Sequence, residues 1–244
     1  MARGAIHVGI GGWDYDPWRG TFYPLGLPRS KQLEHASRRV SAIEINATFY
    51  KLQNAHLYAR WAAAVPEGFR FALKGSRFCT NRKVLGTAAE AVGKFCGQGF
   101  TALADRLGPL CWQFAETKAF DPDDVEAFFA LLPREIDGVA LRHAVEAKHE
   151  SFRDPRFHAL ARAAGVAVVF GDDMLDEKPA ADFVYCRLKG MTEGEAQGYA
   201  PAALDRIADK ARGWAAEGRE VFLFMINGAK VRAPAAAEAV LERL

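Results

Sequence analysis

The sequence lacks the cysteine patterns that mark metal-binding and redox proteins. Its 244 residues include four cysteines, and no two of them form a CxxC pair. Neither a zinc knuckle nor a redox-active dithiol is therefore predicted. Scattered single cysteines are typical of free, buried thiols in a reducing compartment. We expect the four thiols, Cys79, Cys96, Cys111 and Cys186, to be unpaired and the protein to be cytoplasmic.

Long apolar runs and a strong charge imbalance are also missing. No stretch approaches the roughly 20 apolar residues of a membrane span, and the first ten residues hold no run suited to a signal peptide. The formal net charge is only +2, from 32 basic and 30 acidic residues. That balance does not by itself indicate a nucleic-acid or membrane partner, although a local basic patch is compatible with it.

Several functional motifs are absent as well. There is no P-loop, no GxSxG elbow and no GxGxxG fingerprint, and no HxH or HExxH spacing indicates a metal. We predict no cofactor and no metal. The weaker alternative is one ion held by His149 together with Glu44, Glu146 or Asp172.

What the chain does contain is a regular alternation of strand and helix patterns. Eight strands are predicted: His7–Gly12, Ala42–Asn46, Phe69–Lys74, Leu110–Phe114, Val139–Lys148, Val166–Phe170, Phe183–Leu188 and Val221–Ile226. Helical patterns separate most of them, including 88–107 and 234–244. Alternation of this kind implies parallel pairing, and eight units in about 250 residues fit a (β/α)8 TIM-type barrel. We predict a single α/β domain over residues 1–244; the alternative is an open, doubly wound sheet.

The stretch Ile43–Tyr50 is the most informative segment. Its strand alternation puts Glu44 and Asn46 on one face, at the carboxyl end of an apolar strand. A carboxylate and an amide are costly to bury there without partners. Other predicted strands end the same way, which suggests one shared site.

In a parallel barrel the carboxyl ends of all strands meet at one opening. The polar or aromatic residues at these ends are Trp13, Glu44, Asn46, Lys74, Gln113, Glu146, Lys148, His149, Asp172, Asp173, Arg187, Lys189 and Asn227. Cations outnumber inward carboxylates in this set, which favours an anionic ligand in a partly desolvated cleft.

Two glutamates of the set are candidate catalytic residues. Glu44 and Glu146 are predicted to act as general acid and base if their surroundings separate their pKa values. The other interpretation fixes each of them in an ion pair with Lys148 or Arg187. Trp13 is predicted to stack on a base or a sugar ring.

These residues carry a resemblance to the YecE-like family, the domain of unknown function 72. Gly12–Tyr15, Trp18–Gly20 and Phe22–Pro24 are similar to its opening GWxYxxWxGxFYP pattern, and Glu44–Tyr50 (EINATFY) resembles its second-strand signature. Further blocks correspond at Phe69–Lys74 with Thr80, at 107–113, at 146–151 and at Arg187 with Gly190. The resemblance implies a TIM barrel with a polar pocket and adds Tyr23 and Tyr50 to the candidate binding residues. It implies no activity.

The chain departs from the family pattern at several positions. Asn81 and Lys189 replace two family histidines, and Lys148 replaces an arginine. Lysine cannot act as a neutral acceptor in the way imidazole can. If the family chemistry needs those histidines, this member has an altered chemistry.

Three functions follow from these patterns. The first is an enzyme acting on a phosphate-bearing ligand, either a nucleotide or a nucleic-acid end, with lysines and Arg187 holding the anion. The second is a carbohydrate hydrolase or isomerase that uses Glu44 and Glu146. The third is a non-catalytic module that binds nucleic acid or a small ligand. The oligomeric state is not predicted.

Overall fold

Strands and helices alternate along the chain, as its sequence predicts. The computed structural model describes residues 2–244, so that Met1 of the predicted domain lies outside it. The strands are β1 (Ile6–Gly11), β2 (Ala42–Ile45), β3 (Arg70–Lys74), β4 (Leu107–Gln113), β5 (Glu135–Ile136), β6 (Val139–Ala140), β7 (His143–Glu146), β8 (Ala167–Val168), β9 (Phe183–Leu188) and β10 (Glu220–Met225). The α-helices are α1 (Arg29–Ala36), α2 (Ala47–Tyr50), α3 (Ala55–Ala63), α4 (Arg77–Thr80), α5 (Ala89–Cys96), α6 (Pro122–Ala130), α7 (Pro155–Ala164), α8 (Pro201–Ala216) and α9 (Ala233–Leu241).

Eight of the strands form one parallel sheet that curls into a nearly closed barrel. Their order is β8-β7-β4-β3-β2-β1-β10-β9. The two end strands meet at Phe170, whose amide donates to the Tyr185 carbonyl at 2.9 Å and whose carbonyl accepts from the Arg187 amide at 2.9 Å. This link is the closure that separates a barrel from an open sheet. The predicted TIM-type barrel in a single domain is confirmed.

The barrel interior is filled by small residues on one side and aromatic rings on the other. Strands β2, β3, β4, β7 and β8 contribute Ala42, Ala72, Cys111, Ala144 and Ala167, whereas β9 and β10 contribute Phe183, Tyr185, Phe222 and Phe224. Matching large to small side chains in this way fills a narrow barrel without voids. A second, larger apolar layer packs the outer faces of the strands against the helices.

Two segments differ from the prediction because of glycine-containing turns. The segment Val139–Lys148 holds the predicted fifth barrel strand, but only its part β7 joins the barrel, because β6 pairs antiparallel with β5. Asp137 and Gly138, both with positive φ, form the tight turn of the β5–β6 hairpin. The helical pattern over 88–107 is confirmed only in its first half, since α5 ends at Cys96 and Gly99 adopts φ 85° before a 3-10 segment.

Two further predictions concerned the pairing of the cysteines and the presence of membrane-spanning segments. The four cysteines are buried and free. Within residues 2–244, no helix combines the length and apolar character needed to cross a bilayer.

A charged cluster lies at the amino-terminal end of the barrel, opposite the candidate site. Glu220 accepts from His7 Nε2 at 2.8 Å and pairs with Arg142. Burial alone would raise the pKa of Glu220, but the hydrogen bond from His7 and the charge of Arg142 lower it to about 2. The Arg142 guanidinium also covers the rings of Phe183 and Phe222. This cluster covers the amino-terminal end of the barrel interior.

We expect Glu220→Gln to lower the free energy of unfolding at pH 7 by about 1–3 kcal/mol, because Arg142 then loses its charged partner. The folded pKa of Glu220 is depressed, so its contribution is present above the unfolded pKa, near 4.5, and is lost as the pH falls towards about 2. Urea unfolding at pH 7, 4 and 3 should therefore show a gap between wild type and variant that narrows with acidification. Glu242→Gln, at an exposed carboxylate, is the control; a gap independent of pH would contradict the assignment.

Candidate functional site at the barrel mouth

A polar layer caps the barrel interior at the carboxyl ends of the strands. On several strands an inward apolar residue is followed two positions later by an inward polar one. The pairs are Ala42 and Glu44, Ala72 and Lys74, Cys111 and Gln113, Ala144 and Glu146, and Tyr185 and Arg187. Since strand side chains alternate faces, residues two apart point to the same side, so the apolar members fill the barrel interior and the polar members lie one layer nearer its mouth.

Arg187 lies at the centre of this layer and connects both candidate glutamates. Its Nε and Nη2 donate to Glu44 Oε2 and Oε1, each at 3.0 Å, and its Nη1 donates to Glu146 Oε2. Glu44 is 0% exposed and Arg187 is 3% exposed. A forked arginine–carboxylate pair is the geometry that best offsets burial of both charges. The sequence prediction that these distant residues meet is supported by direct contacts.

Tyr185 adds a further bond to Glu44. Its hydroxyl donates to Glu44 Oε2 at 2.7 Å. Burial, reinforced by the charge of Glu44, raises the pKa of Tyr185, so the hydroxyl remains a donor. Sequence reasoning missed this residue, although Tyr185, Arg187 and Lys189 follow one another at the two-residue spacing of a strand face.

Glu146 is held by three donors and stays ionised. It accepts hydrogen bonds from Arg187, Lys189 and Gln113. Burial alone would raise the pKa of Glu146, but the charges of Arg187 and Lys189 outweigh it and lower the pKa to about 2. At neutral pH Glu146 therefore accepts hydrogen bonds as a carboxylate, is a weak base and has no proton to donate.

Lys74 is the cation of this layer that lacks a partner. Its side chain enters from β3 and is 9% exposed, yet no carboxylate or other acceptor among residues 2–244 bonds its ammonium group. The Nζ atom lies 4.2 Å from the centre of the Phe49 ring. Burial, reinforced by Arg187, lowers the pKa of Lys74. The ammonium group is not fully shielded from solvent, so a ligand at the mouth can supply the acceptor that the protein does not.

Two predicted residues of the fifth barrel strand lie farther out. Lys148 is bonded to Glu116, so its charge is already neutralised. The Nδ1 atom of His149 lies 2.8 Å from the Ser151 hydroxyl oxygen and accepts from the Ser151 amide, so His149 is the N-cap of a 3-10 segment. Neither side chain forms a hydrogen bond with Glu44, Arg187 or Glu146. Sequence reasoning missed Glu116, which follows β4 and is distant from Lys148 in the chain.

Asp172 and Asp173 shape the sixth loop. Asp172 Oδ2 accepts from the amides of Lys189 at 2.7 Å and Gly190 at 3.0 Å, and Oδ1 accepts from the Tyr199 hydroxyl at 2.6 Å. Asp173 is exposed. Asp172 thus holds the segment from which Lys189 reaches Glu146.

The predicted pairing of Glu44 and Asn46 on one strand face is wrong. Strand β2 ends at Ile45, and Asn46 has helical φ and ψ of −85° and −19° at the start of α2. Its amide nevertheless remains at the rim, 3.1 Å from where a Cβ on Gly11 would stand. The same turn directs Phe49 towards Lys74 and leaves Tyr50 64% exposed.

Three other candidates lie apart from the cluster. Trp13 packs edge-to-face on Trp61, with centroids 5.2 Å apart, in the outer apolar layer. Tyr23 is 1% exposed and donates its hydroxyl to the Trp13 carbonyl at 2.6 Å. Asn227 is exposed with φ 57°, in the turn after β10.

Metal ligands do not converge at this opening. The described part of the chain, residues 2–244, has no group of three or more His, Cys, Asp or Glu side chains arranged to hold an ion. The layer instead combines two carboxylates with three cations, an amide and a phenol.

Comparisons with known proteins agree with this architecture. The sequence model of the family described as "Protein of unknown function DUF72" matches residues 7–244. The UPF0759 protein YunF of Bacillus subtilis (strain 168) is 30% identical over 79 residues, which are 32% of this chain. The matched segment spans only 27% of YunF.

Solved structures share the fold at low sequence identity. A DUF72 family protein from Thermotoga maritima MSB8 superposes with a TM-score of 0.79 at 19% identity, over 98% of each chain. One from Enterococcus faecalis V583 gives 0.72 at 16% identity over 100% of each chain. SacUVDE gives 0.58 at 11% identity over 99% of this chain and 100% of the other. These likenesses establish the barrel.

Proposed function

This chain belongs to the DUF72 family, whose description assigns no function, and from its own site we propose that the barrel mouth binds a phosphate-bearing ligand and that the protein is an enzyme acting on it. The ligand class comprises nucleotides and nucleic-acid ends. Glu44 and Glu146 are the proposed catalytic residues, and Lys74 is the proposed anion-binding residue.

The unpaired ammonium group of Lys74 is the observation that supports this proposal. The layer contains three cations, Lys74, Arg187 and Lys189, against the two carboxylates Glu44 and Glu146. Lys148 adds nothing to the surplus, because Glu116 neutralises it. At an effective dielectric near 20, one uncompensated charge attracts an anion at 4 Å by about 4 kcal/mol. A phosphate oxygen would supply the acceptor that Lys74 lacks.

Further donors are available around Lys74. Three of the five N–H groups of the Arg187 guanidinium bond Glu44 and Glu146, and the other two form no hydrogen bond among residues 2–244. The unbonded N–H groups of a guanidinium are suited to donate hydrogen bonds to phosphate oxygens. Bound phosphate would thus lie between Lys74 and the Arg187 fork.

The carboxylates would orient the reacting groups and support the site electrostatically. Glu146 is ionised, with its pKa lowered to about 2, so it is a weak base whose proposed role is to orient an attacking water molecule by accepting a hydrogen bond from it. Arg187 fixes both glutamates, which pre-organises the site without movement during the reaction. The carbohydrate alternative needs a protonated carboxylic acid, a role that Glu146 does not fit; the charge surplus therefore favours the phosphate-bearing ligand.

Thermal shift and calorimetry with matched ligand pairs test the proposal. We expect inorganic phosphate and nucleoside 5′-phosphates to raise the melting temperature and to bind, whereas the corresponding nucleosides do neither, because only the phosphate meets Lys74. Sodium chloride at equal ionic strength is the control for general screening. Stabilisation by unphosphorylated sugars, with no response to any phosphate compound, would contradict the proposal and favour the carbohydrate alternative.

A further inference from the structure

Two aromatic side chains lie exposed beside the barrel mouth. Tyr50 is 64% exposed and Phe78 is 61% exposed, in the short helices α2 and α4 that follow β2 and β3. The Arg77 guanidinium lies between them, 6.0 Å from the Tyr50 ring centre and 5.3 Å from that of Phe78. Two neighbouring exposed rings with a guanidinium against both form a surface that a partner can contact.

These rings continue the line of contacts that begins at the buried lysine. Lys74 lies over Phe49, and the Phe49 and Tyr50 rings meet edge-to-face with centroids 5.0 Å apart. The sequence of contacts therefore runs from Lys74 through Phe49 and Tyr50 to Arg77 and Phe78. A ligand with its anionic end at Lys74 would pass over Tyr50 as it left the mouth.

The same surface carries uncompensated positive charge. Segments 46–66 and 75–89 contain no aspartate or glutamate. Their cations near the rings are Lys51, Arg77, Arg82 and Lys83, and none of them forms an ion pair with a carboxylate among residues 2–244. Most of the chain mixes both signs, so this stretch selects an anionic partner by charge complementarity.

A cleft extends the surface away from the mouth. It has a volume of about 650 Å³ and is lined by three cations, Arg82, Lys83 and Lys118, by one carboxylate, Asp121, and by neutral residues that include Asn81 and Phe120. Lys118 is paired with Asp124, whereas Arg82 donates hydrogen bonds to the carbonyls of Phe78 and Thr87. The surface thus combines a concave, polar cleft with exposed aromatic rings.

We propose that Tyr50, Arg77 and Phe78, with the adjoining cleft, form a stacking platform for single-stranded nucleic acid whose phosphorylated end enters the barrel mouth. The proposal rests on the proposed function and narrows its substrate class. Bases of a single strand have free faces that stack on exposed rings, while lysine and arginine follow the backbone. A duplex keeps those faces covered. A membrane surface is the less suitable partner, because Arg77 and a polar cleft interrupt the apolar side chains.

The test is fluorescence anisotropy of a 5′-phosphorylated twelve-residue oligothymidylate, labelled at its 3′ end, on the full chain. We expect Tyr50→Ala with Phe78→Ala to weaken binding by about ten- to hundredfold, since stacking is lost at two positions. Leu25→Ala, at another exposed apolar side chain, is the control and should leave affinity unchanged. The affinity should also fall steeply with salt.

The two proposals fail in different ways. If the double variant binds the oligonucleotide as wild type does, the platform is wrong, whereas retained binding of inorganic phosphate leaves the mouth proposal intact. If 5′-hydroxyl and 5′-phosphate oligonucleotides bind equally and only the double variant weakens both, the platform is supported and the role of the mouth is wrong. Binding to phosphatidylglycerol vesicles without binding to the oligonucleotide would overturn the platform in favour of a membrane surface.

Discussion

Replacing Arg187 with methionine is expected to lower the free energy of unfolding at pH 7 by about 3–5 kcal/mol. The substitution leaves two carboxylates without their shared cation, one of which, Glu44, is 0% exposed. A buried charge that loses its partner bears the full desolvation penalty. Urea unfolding of wild type and variant measures this loss directly.

The pH dependence of Arg187→Met gives the prediction a specific signature. Burial would raise the pKa of Glu146 once Arg187 no longer opposes it, so the variant should protonate Glu146 at a higher pH than wild type. Wild type gains stability from Glu146 above its unfolded pKa and loses it as the pH falls towards about 2. The difference between the two proteins should therefore shrink with acidification.

A surface ion pair provides the control for that experiment. Arg206→Met removes an exposed partner of Asp176 and should cost less than about 1 kcal/mol. Arg187→Lys keeps the charge but not the fork, so we expect an intermediate loss. A loss below about 1 kcal/mol for Arg187→Met would mean that the buried cluster is not held by this residue.

Replacing Lys74 with methionine is expected to weaken phosphate binding by about ten- to hundredfold, because a charge-assisted hydrogen bond is lost. The same substitution should raise the free energy of unfolding by about 1 kcal/mol, since it removes a buried cation with no protein acceptor. Calorimetry with inorganic phosphate and urea unfolding without ligand measure the two effects. Opposite changes in binding and stability would identify a residue kept for its ligand.

The ionisation of Lys74 determines the pH range of this effect. Burial and Arg187 lower the pKa of Lys74 in the folded protein, so its charge penalises folding below that pKa, and the penalty diminishes as the pH rises from there towards the unfolded value of 10.5. Phosphate affinity should fall over the same range, whereas Lys74→Arg should keep binding to higher pH. Lys94→Met, at an exposed helix pair with Glu90, is the control for both measurements. Unchanged phosphate affinity in Lys74→Met would refute the role of Lys74.

Much of the architecture followed from local patterns. Strand alternation with helices predicted the parallel barrel, and the two-residue spacing predicted that Glu44, Glu146 and Arg187 face one opening. These predictions succeeded because the face of a strand residue depends on its parity alone. Where the chain leaves a strand the rule stops, which is why Asn46 was wrongly placed on the face of Glu44: α2 begins directly after β2.

Charge pairing was beyond the reach of sequence patterns. Nothing near Lys148 indicates that Glu116 neutralises it, and nothing near Lys74 indicates that it lacks an acceptor. Trp13 likewise lies in an aromatic-rich loop of the kind that stacks on ligands, yet its ring packs on Trp61. Each outcome depends on which side chains from distant segments arrive at the same place.

The sequence by itself determined the family, the barrel and the strand ends that turn inward. Only the tertiary structure decided that Arg187 holds both glutamates, that Lys74 is the cation without a partner, and that Phe49 rather than Tyr50 covers it. The physical reason is that strand and helix patterns arise from neighbouring residues, whereas the balance of buried charge is a sum over side chains that the closed barrel brings together.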